Sequence, residues 1–317
     1  MRVIFFGTPQ FSAHVLEFLI KKEMDIVAVV SKPDRPKGRS GAPVPTPVKL
    51  AAHKLNPSLP VLQPILVSDQ SFAPTLQAFN ADLFVVVAYG EIIKEHLLHM
   101  PKIACINLHT SLLPKYRGAA PIQRAIIGGE TETGVTIMHM AKKMDAGDII
   151  LQKKVPIGPE MTFGELEDTL CEVGKEALFE TIQKFAEGKE LSIPQKHEEA
   201  TFAPKIELED CEIHWNKPAE EIHNLVRGVN PYPGAWCNVS VKGDLKRLKI
   251  YRTKIIPSNE KSIPGKLLNQ KGNIVLSTST HALELLEVQL EGKKRMTSDE
   301  LIRGVSLSHI KFNIFGA

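Results

Sequence analysis

Cysteine is scarce in this sequence, and no two of its four cysteines form a C-x-x-C pair. Zinc sites and thiol redox motifs need closely spaced ligands, so the sequence predicts neither of them, and we expect no metal. We expect buried free thiols at the four positions, which are Cys105, Cys171, Cys211 and Cys237.

Long apolar runs and a strong charge of one sign are also missing. No run approaches the ~18 apolar residues that a membrane-spanning helix needs. Met1 leads directly into a buried-strand pattern, without the basic and apolar regions of a secretory signal. The net charge is +3, which permits nucleic-acid binding but does not demand it. We therefore expect a cytoplasmic protein with no membrane segment.

The first turn of the chain lacks a dinucleotide fingerprint. Apolar residues 3–6 predict a buried strand, and Gly7-Thr8-Pro9 follows it as a turn. A dinucleotide site would need G-x-G-x-x-G here, but its second and third glycine positions hold Pro9 and Ser12. The nicotinamide and flavin hypotheses therefore lose their best support.

The first half of the chain alternates strand-like runs with helical spacing. Further strand candidates are residues 26–30, 83–88 and 104–108, followed by a strand pair at 133–140 and 149–157. This alternation is typical of a parallel sheet covered on both faces. Thr162 and Glu165 have capping-box spacing ahead of a long helix that fades at Gly188. We therefore predict a doubly wound, Rossmann-like α/β domain over residues 1–189.

The pattern of polar and apolar residues changes in the second half of the sequence. Residues 190–209 are polar and mixed, which is typical of a surface linker. A helical stretch near 222–226 and short strand candidates follow, so we predict a small OB-like β-barrel over residues 210–317. Barrels of this kind often bind oligonucleotides. Two domains also suit 317 residues, since single cores stop growing at roughly 250–300 residues.

Polar side chains of chemical interest follow a buried strand of the first half. Asn107 and His109 are two residues apart, so on an extended chain they point to the same side. Ligands of open α/β sheets bind at the carboxyl ends of the strands. Asp145 lies downstream in a glycine-containing turn. Taken alone, Asn107 and His109 are explained at least as well by a hydrogen-bonded structural pair, and an isolated Asp in a turn usually forms an Asx-turn.

An ordered set of motifs makes the chain recognisable. The motifs are Phe6-Gly7-Thr8-Pro9, Val87-Ala88-Tyr89-Gly90, Asn107-x-His109, Ser111-Leu112-Leu113-Pro114, Lys115 to Pro121, Thr133-Gly134-Val135-Thr136 and Asp145-Ala146-Gly147-Asp148. This set resembles the folate-dependent formyltransferase superfamily over essentially the whole chain. The resemblance implies that Asn107, His109 and Asp145 form the catalytic trio. It also implies that 10-formyltetrahydrofolate is the formyl donor and that no metal is required.

The resemblance further implies which residues bind the folate. Ser111, Leu112, Leu113 and Pro114 match the segment that the family assigns to tetrahydrofolate. The other implied folate contacts are Val87, Ala88, Tyr89, Gly90, Ile92, Met140 and Asp148.

Two basic segments bear on the formyl acceptor. Residues 31–41 form a Pro/Gly-rich loop that resembles the loop of the superfamily members that formylate methionine on initiator tRNA, which implies tRNA contacts by Arg35, Lys37 and Arg39. The C-terminal domain resembles that of the same enzymes, and its basic hairpin adds Lys246 and Arg247. A solvated mobile loop and a charged sheet edge are the alternative interpretations.

We therefore expect a monomer that transfers formyl from 10-formyltetrahydrofolate to the α-amino group of methionine on initiator tRNA. Two rival hypotheses stay open. The first is a folate-dependent formyltransferase for a small amine, because the trio does not choose the acceptor. The second is a nucleic-acid-binding protein whose α/β domain is catalytically dead, against which the intact trio speaks.

Overall fold

A computed structural model describes residues 1–36, 41–258, 262–268 and 272–312 of the chain. The chain divides into two compact units. Unit 1 comprises Met1–Pro121, Glu132–Pro156 and Glu167–Ala203, and unit 2 comprises Ile122–Thr131, Ile157–Leu166 and Pro204–Ala317. The predicted linker is divided between them, with residues 190–203 in unit 1 and 204–209 in unit 2.

Strands and helices alternate as far as residue 186. They are β1 (Val3–Gly7), α1 (Gln10–Lys21), β2 (Ile26–Val30), β3 (Arg35–Pro36), β4 (Pro43–Val44), α2 (Pro47–Leu55), β5 (Val61–Leu62), α3 (Ala73–Gln77), β6 (Leu83–Val87), α4 (Glu95–Leu98), β7 (Ala104–His109), α5 (Pro121–Ile127), β8 (Glu132–His139), β9 (Ile149–Pro156) and α6 (Phe163–Ala186).

In the described part of unit 1, seven strands form one sheet in the order β5-β2-β1-β6-β7-β8-β9. The first five are parallel. Every residue of β1 and β6 is buried, because central parallel strands are covered on both faces. The last two strands are antiparallel to their neighbours, and they pair with each other as predicted. The Rossmann-like fold class is confirmed.

The long helix α6 begins where the capping-box pattern places it. The Thr162 amide and hydroxyl donate to Oε2 of Glu165 at 2.8 and 2.9 Å. The Glu165 amide in turn donates to the Thr162 hydroxyl at 3.4 Å. This exchange satisfies amide groups that the first turn of a helix leaves without partners. The helix ends at Ala186, two residues before Gly188, which adopts a positive φ of 64°.

The C-terminal part of the chain forms an antiparallel sheet. Its elements are α7 (Ala219–Gly228), β10 (Ala235–Val241), β11 (Asp244–Ile256), β12 (Leu267–Leu268), β13 (Val275–Ser277), β14 (Ala282–Leu290), β15 (Met296–Thr297), α8 (Ser298–Gly304) and β16 (Ile310–Lys311). Among the described residues the strand order is β12-β13-β14-β11-β10-β16, and β15 pairs with β14. The sheet curls into a half-barrel, which confirms the predicted barrel-like class.

The core of unit 2 collects alternate residues of these strands. Cys237, Val239 and Val241 of β10 and Leu248 and Ile250 of β11 are buried in it. A register shift after Ile250 bends β11 against β14, as an extra residue in one strand does. None of the helices in the described residues is long and apolar enough to span a membrane.

Candidate active site

The carboxyl end of β7 carries two of the predicted catalytic residues. Asn107 is half-buried between Val86 of β6 and Met138 of β8, its register partners. His109 is the last residue of β7 and is buried, with Thr136 as its partner on β8. Because side chains alternate along a strand, Asn107 and His109 point to the same face of the sheet.

Hydrogen bonding fixes the tautomer of His109. Its Nε2 lies 3.0 Å from the carbonyl oxygen of Tyr116. A carbonyl oxygen only accepts, so Nε2 carries the hydrogen and donates. The other nitrogen, Nδ1, lies 3.9 Å from Oδ2 of Asp145. The structure thus brings His109 and Asp145 together, with the lone pair of the neutral ring on the side of the carboxylate.

Asp145 lies in the turn between β8 and β9. Its backbone is in the left-handed region with a φ of 51°, which side chains disfavour sterically. Its Oδ2 accepts a 2.8 Å hydrogen bond from the amide of Gly118. Gly118 has no room for a side chain, since a Cβ there would meet the Ala203 carbonyl oxygen at 2.6 Å. The carboxylate is therefore held by the backbone of the segment that follows β7.

Two buried side chains that the sequence analysis did not single out complete this region. Gln195 donates from Nε2 to the carbonyl oxygens of Asp145 and Gly147 at 3.0 and 2.7 Å. Its Oε1 accepts from the guanidinium of Arg117 at 2.6 and 3.2 Å. Arg117 lies in the motif Lys115 to Pro121, whereas Gln195 lies in the predicted linker. The sequence signal for Gln195 is weak, since a glutamine in a polar stretch is ordinary.

The segment Ser111 to Pro114 is held by Thr136. The Thr136 hydroxyl donates to the Ser111 carbonyl oxygen at 2.6 Å and accepts from the Leu113 amide at 3.2 Å. Ser111 and Leu113 are buried, while Leu112 and Pro114 are partly exposed. The peptide bond between Leu113 and Pro114 is cis. Of these four side chains, those of Leu112 and Pro114 are therefore the ones that solvent reaches.

The segment after β6 presents backbone and one apolar side chain. Ala88 and Gly90 have positive φ values of 45° and 86° and are exposed. Val87 and Tyr89 are buried, and the Ile92 side chain is 67% exposed. A large exposed apolar side chain beside open backbone groups fits a flat ring that needs both stacking and hydrogen bonds.

The two remaining folate candidates flank the turn of Asp145. The amide of Met140 donates to the carbonyl oxygen of Cys105 at 2.8 Å, and its side chain is partly exposed. Asp148 is exposed, and its carbonyl oxygen accepts from the His139 amide at 2.9 Å. Burial lowers the pKa of His139, partly offset by the carboxylates of Asp148 and Glu190. Among the described residues, no group of three His, Cys, Asp or Glu side chains is placed to hold a metal ion.

The basic loop is described only in part. Arg35 is exposed on β3, where it pairs with Val44 of β4, whereas Lys37 and Arg39 lie outside the described residues. The start of the loop is tied down at Asp34, which accepts from Gln63 at 2.6 Å and from Lys49 at 2.7 Å. Both hydrogen bonds lower the pKa of the Asp34 carboxyl group, and the one from Gln63 has the larger effect.

The basic residues of unit 2 lie on β11. Lys246 pairs with Val239 and Arg247 with Asn238, so the two basic side chains point to opposite faces of the sheet. The Arg247 guanidinium lies 4.3 Å from the centre of the Trp236 ring. An open cleft of about 520 Å³ is lined by Asn238, Leu245, Lys246, Arg247, Lys249, Gln289, Leu290, Glu291 and Gly292.

Comparison with known families agrees with the folds of both units. The family model of formyl transferase matches residues 1–182, and that of the formyl transferase C-terminal domain matches residues 205–306. The chain is 63% identical over 313 residues to the methionyl-tRNA formyltransferase of Protochlamydia amoebophila, with 98% of each chain covered.

Solved structures share the fold at low identity. The sugar 3N-formyl transferase WlaRD matches with a TM-score of 0.65 and 19% identity, over 93% of this chain and 99% of that one. HypX from Aquifex aeolicus, in complex with tetrahydrofolic acid, matches with a TM-score of 0.64 and 18% identity over 95% of this chain. This chain spans about half of HypX, 47% of its length.

The two family models together span most of the chain, in the same order as its two folds. The match to the Protochlamydia enzyme extends along nearly the full length of both proteins, so it covers the C-terminal half of the chain as well as the N-terminal half. The chain therefore belongs to the methionyl-tRNA formyltransferase family, enzymes that formylate the methionine of initiator tRNA with formyltetrahydrofolate as donor.

Proposed function

We propose that Asn107, His109 and Asp145 catalyse formyl transfer from 10-formyltetrahydrofolate to the α-amino group of methionine on initiator tRNA. The orientation of the His109 ring is the observation that carries this assignment. Its Nε2 is engaged by the Tyr116 carbonyl oxygen, and its Nδ1 faces the carboxylate of Asp145. Nδ1 is therefore the nitrogen that accepts a proton, and the carboxylate stabilises the resulting imidazolium.

The chemistry needs a hydrogen-bond donor and a proton carrier. The neutral amine attacks the formyl carbon, a new N–C bond forms, and the carbonyl oxygen becomes an oxyanion. The side-chain amide of Asn107 donates to this oxyanion, a contribution of roughly 3–4 kcal/mol in comparable sites. His109 takes the proton from the attacking nitrogen and delivers it to N10 of the folate as the C–N10 bond breaks. Direct attack by the amine needs no covalent enzyme intermediate.

The folate is assigned to segments of unit 1 around the trio. Ile92, Leu112 and Pro114 offer the exposed apolar surface, and the open backbone at Ala88 and Gly90 offers hydrogen-bonding groups. Met140 and Asp148 are assigned to the same ligand from the side of the Asp145 turn. The buried Val87, Tyr89, Ser111 and Leu113 are assigned the role of shaping these segments.

Both tRNA-binding assignments rest on positive charge. Arg35, Lys37 and Arg39 are assigned to the acceptor end of the tRNA, since arginine and lysine bind phosphate oxygens. In unit 2, Lys246 and Arg247 line an open cleft that also contains Lys249. Lys246 lies on the other face of β11 from Arg247 and Lys249, and Glu291 also lines the cleft, so its lining has more positive than negative charge. This excess favours binding of a nucleic-acid backbone. We further propose that the chain acts as a monomer, in the cytoplasm where initiator tRNA is charged.

The decisive experiment measures transfer of labelled formyl from 10-formyltetrahydrofolate to four acceptors. These are methionyl initiator tRNA, methionyl elongator tRNA, free methionine and glycinamide ribonucleotide. We expect a strong preference for the charged initiator. Transfer to a small amine would keep the trio but overturn the tRNA assignments, and no transfer to any acceptor would refute the catalytic role.

A further inference from the structure

Gln195 connects the two backbone segments that hold the candidate catalytic carboxylate. Only 6% of this residue is exposed. Its Nε2 donates to the carbonyl oxygens of Asp145 and Gly147, at 3.0 and 2.7 Å, and so grips the turn between β8 and β9 from its backbone. The two short contacts of Nε2 are thus made within one turn, and a longer one of 3.9 Å reaches Sδ of Met138.

The other end of the same amide holds the segment after β7. Oε1 of Gln195 accepts from Nη2 and Nε of Arg117, at 2.6 and 3.2 Å. Arg117 is 2% exposed, and its Nη2 also lies 2.9 Å from Nδ1 of His197. In the sequence, Arg117 lies between Tyr116 and Gly118, the two residues that contact His109 and Asp145. Tyr116 accepts from Nε2 of His109, and Gly118 donates to Oδ2 of Asp145.

The turn needs such support because Asp145 is in a disfavoured backbone conformation, with a φ of 51°. A residue with a side chain stays in the left-handed region only where its surroundings hold it there. Among the described contacts, the Asp145 carboxylate accepts one hydrogen bond from the backbone, and it comes from the Gly118 amide. A shift of either segment would therefore change the separation between Asp145 and His109.

We propose that Gln195 is a positioning residue for formyl transfer, because its side-chain amide locks the Asp145–Gly147 turn to the Tyr116–Gly118 segment. It sets the 3.9 Å approach of the Asp145 carboxylate to Nδ1 of His109. This role rests on the proposed catalytic function of Asp145. Gln195 itself touches neither substrate nor the reacting atoms.

Two substitutions distinguish this positioning role from a role limited to accepting hydrogen bonds from the buried Arg117 guanidinium. Gln195→Met keeps the length of the side chain but removes both the donor and the acceptor. Gln195→Glu keeps an acceptor for Arg117, with a favourable charge, but sets an anionic oxygen against the carbonyls of Asp145 and Gly147. If Gln195 serves only Arg117, Gln195→Glu retains activity. If it positions the turn, both variants lose activity.

The test compares these variants with Asp145→Asn and with a matched control, Thr181→Val. Thr181 is a fully buried polar residue of α6, and its hydroxyl donates to the carbonyl oxygen of Ala177 at 2.9 Å. Each full-length variant is assayed for kcat and for KM of both substrates, and its melting temperature is recorded. Hydrogen exchange of the peptide containing Gly118 reports the bond to Asp145 directly.

We expect kcat to fall about 10- to 100-fold in Gln195→Met and Gln195→Glu, since a displacement near 1 Å costs about this much. Both KM values should stay within about twofold, Gly118 should exchange faster, and Thr181→Val should leave kcat unchanged. Full activity in Gln195→Glu overturns the proposal, and so does unfolding of both variants at the assay temperature. Full activity in Asp145→Asn refutes the catalytic assignment instead, so the two failures are distinguishable.

Discussion

Nδ1 of His109 lies 3.9 Å from Oδ2 of Asp145, while Nε2 of the same ring lies 3.0 Å from the carbonyl oxygen of Tyr116. The ring is therefore held at one nitrogen by a neutral acceptor and faced at the other by a negative charge. This asymmetry assigns the donor and acceptor nitrogens of the neutral ring. It also gives Asp145 a role that depends on its charge as well as its shape.

The first prediction concerns that charge. Asp145→Asn keeps an oxygen that can accept from the Gly118 amide, but it removes the charge that stabilises a protonated His109. We expect kcat to fall by about 10²- to 10⁴-fold, the range of general acid–base catalysis, with little change in the KM of either substrate. Single-turnover transfer of labelled formyl measures it.

A control for the Asp145 variant is Asp25→Asn, at an exposed position of unit 1. It removes an equal charge far along the chain from the trio, and we expect wild-type rates. A rate for Asp145→Asn within about threefold of wild type would contradict the charge-based role.

The second prediction concerns the oxyanion. Asn107→Ala removes the proposed donor, and we expect a loss of about 10²- to 10³-fold in kcat. Asn107→Asp should be at least as harmful, because a carboxylate repels the developing negative charge. Steady-state assays of both variants provide the test, with Asn56→Ala, at an exposed helix end, as the control. Equal kcat in Asn107→Ala and wild type would remove Asn107 from the mechanism.

Local sequence patterns predicted much of this fold. Strand β7 follows from the short apolar run at residues 104–108, which is typical of a fully buried strand. The start of α6 follows from the spacing of Thr162 and Glu165. The contacts of the capping box lie within three residues of each other, so there the local sequence contains the whole signal. Strand β7 pairs with β6 and β8 in other parts of the chain, and only its apolar composition is a local signal.

Contacts between distant residues could not be predicted in this way. Gln195 meets Arg117 across 78 positions and Gly147 across 48. Its surroundings are polar, which indicated a solvated linker. Helix α8 was not predicted, although Thr297 and Glu300 form a capping box whose spacing is visible in the sequence.

The third prediction concerns the close packing beneath the candidate folate segment. A Cβ at Gly134 would clash with the Lys153 carbonyl oxygen and would meet Cδ2 of Leu112 at 2.6 Å. Gly134→Ala should lower the free energy of unfolding by about 1–3 kcal/mol, as overpacking typically does. It should also raise the KM for the folate, because Leu112 must move. Urea unfolding and steady-state assays measure the two effects.

The matched control for Gly134→Ala is Gly304→Ala. Gly304 ends α8, where an added Cβ meets nothing within 4 Å. This substitution should be neutral or slightly stabilising. Equal unfolding free energies for the two variants would show that β8 and β9 absorb the added methyl group without strain.

The fourth prediction concerns tRNA binding by unit 2. Lys246→Ala should raise the KM for methionyl initiator tRNA and lower the slope of log affinity against log salt by about 1, as expected for one lost phosphate contact. The KM for the folate should not change. Lys189→Ala, at an exposed lysine of unit 1, is the control. An unchanged salt slope in Lys246→Ala would remove this residue from the tRNA interface.

Arg247→Ala changes more than one interaction. The Arg247 guanidinium also lies over the ring of Trp236, so truncation removes a cation–π contact together with the charge. We expect this variant to lose stability as well as tRNA affinity. A melting temperature recorded beside the tRNA titration separates the two effects.

The fifth prediction concerns the four thiols, all of which are free and buried. Burial raises the pKa of Cys105 and Cys237 to about 12 and that of Cys171 and Cys211 to about 11. A raised pKa leaves the thiol protonated, so at pH 8 only about one thiol in a thousand or fewer is the reactive thiolate. We therefore expect the native protein to resist a thiol reagent such as dithionitrobenzoate.

Four equivalents should react once the chain is unfolded in guanidinium, because the pKa values then return towards their ordinary range. Ser58→Cys, at an exposed position, supplies the positive control and should add one rapidly reacting equivalent to the native protein. Raising the pH from 8 to 9.5 should accelerate the introduced cysteine about fourfold, because an exposed thiol has a pKa near 8.5. The thiolate fraction of the buried cysteines rises about thirtyfold over the same range, so labelling that stays slow at pH 9.5 would show that the fold excludes the reagent. Rapid native labelling of any of the four would show that its packing opens on the timescale of the reaction.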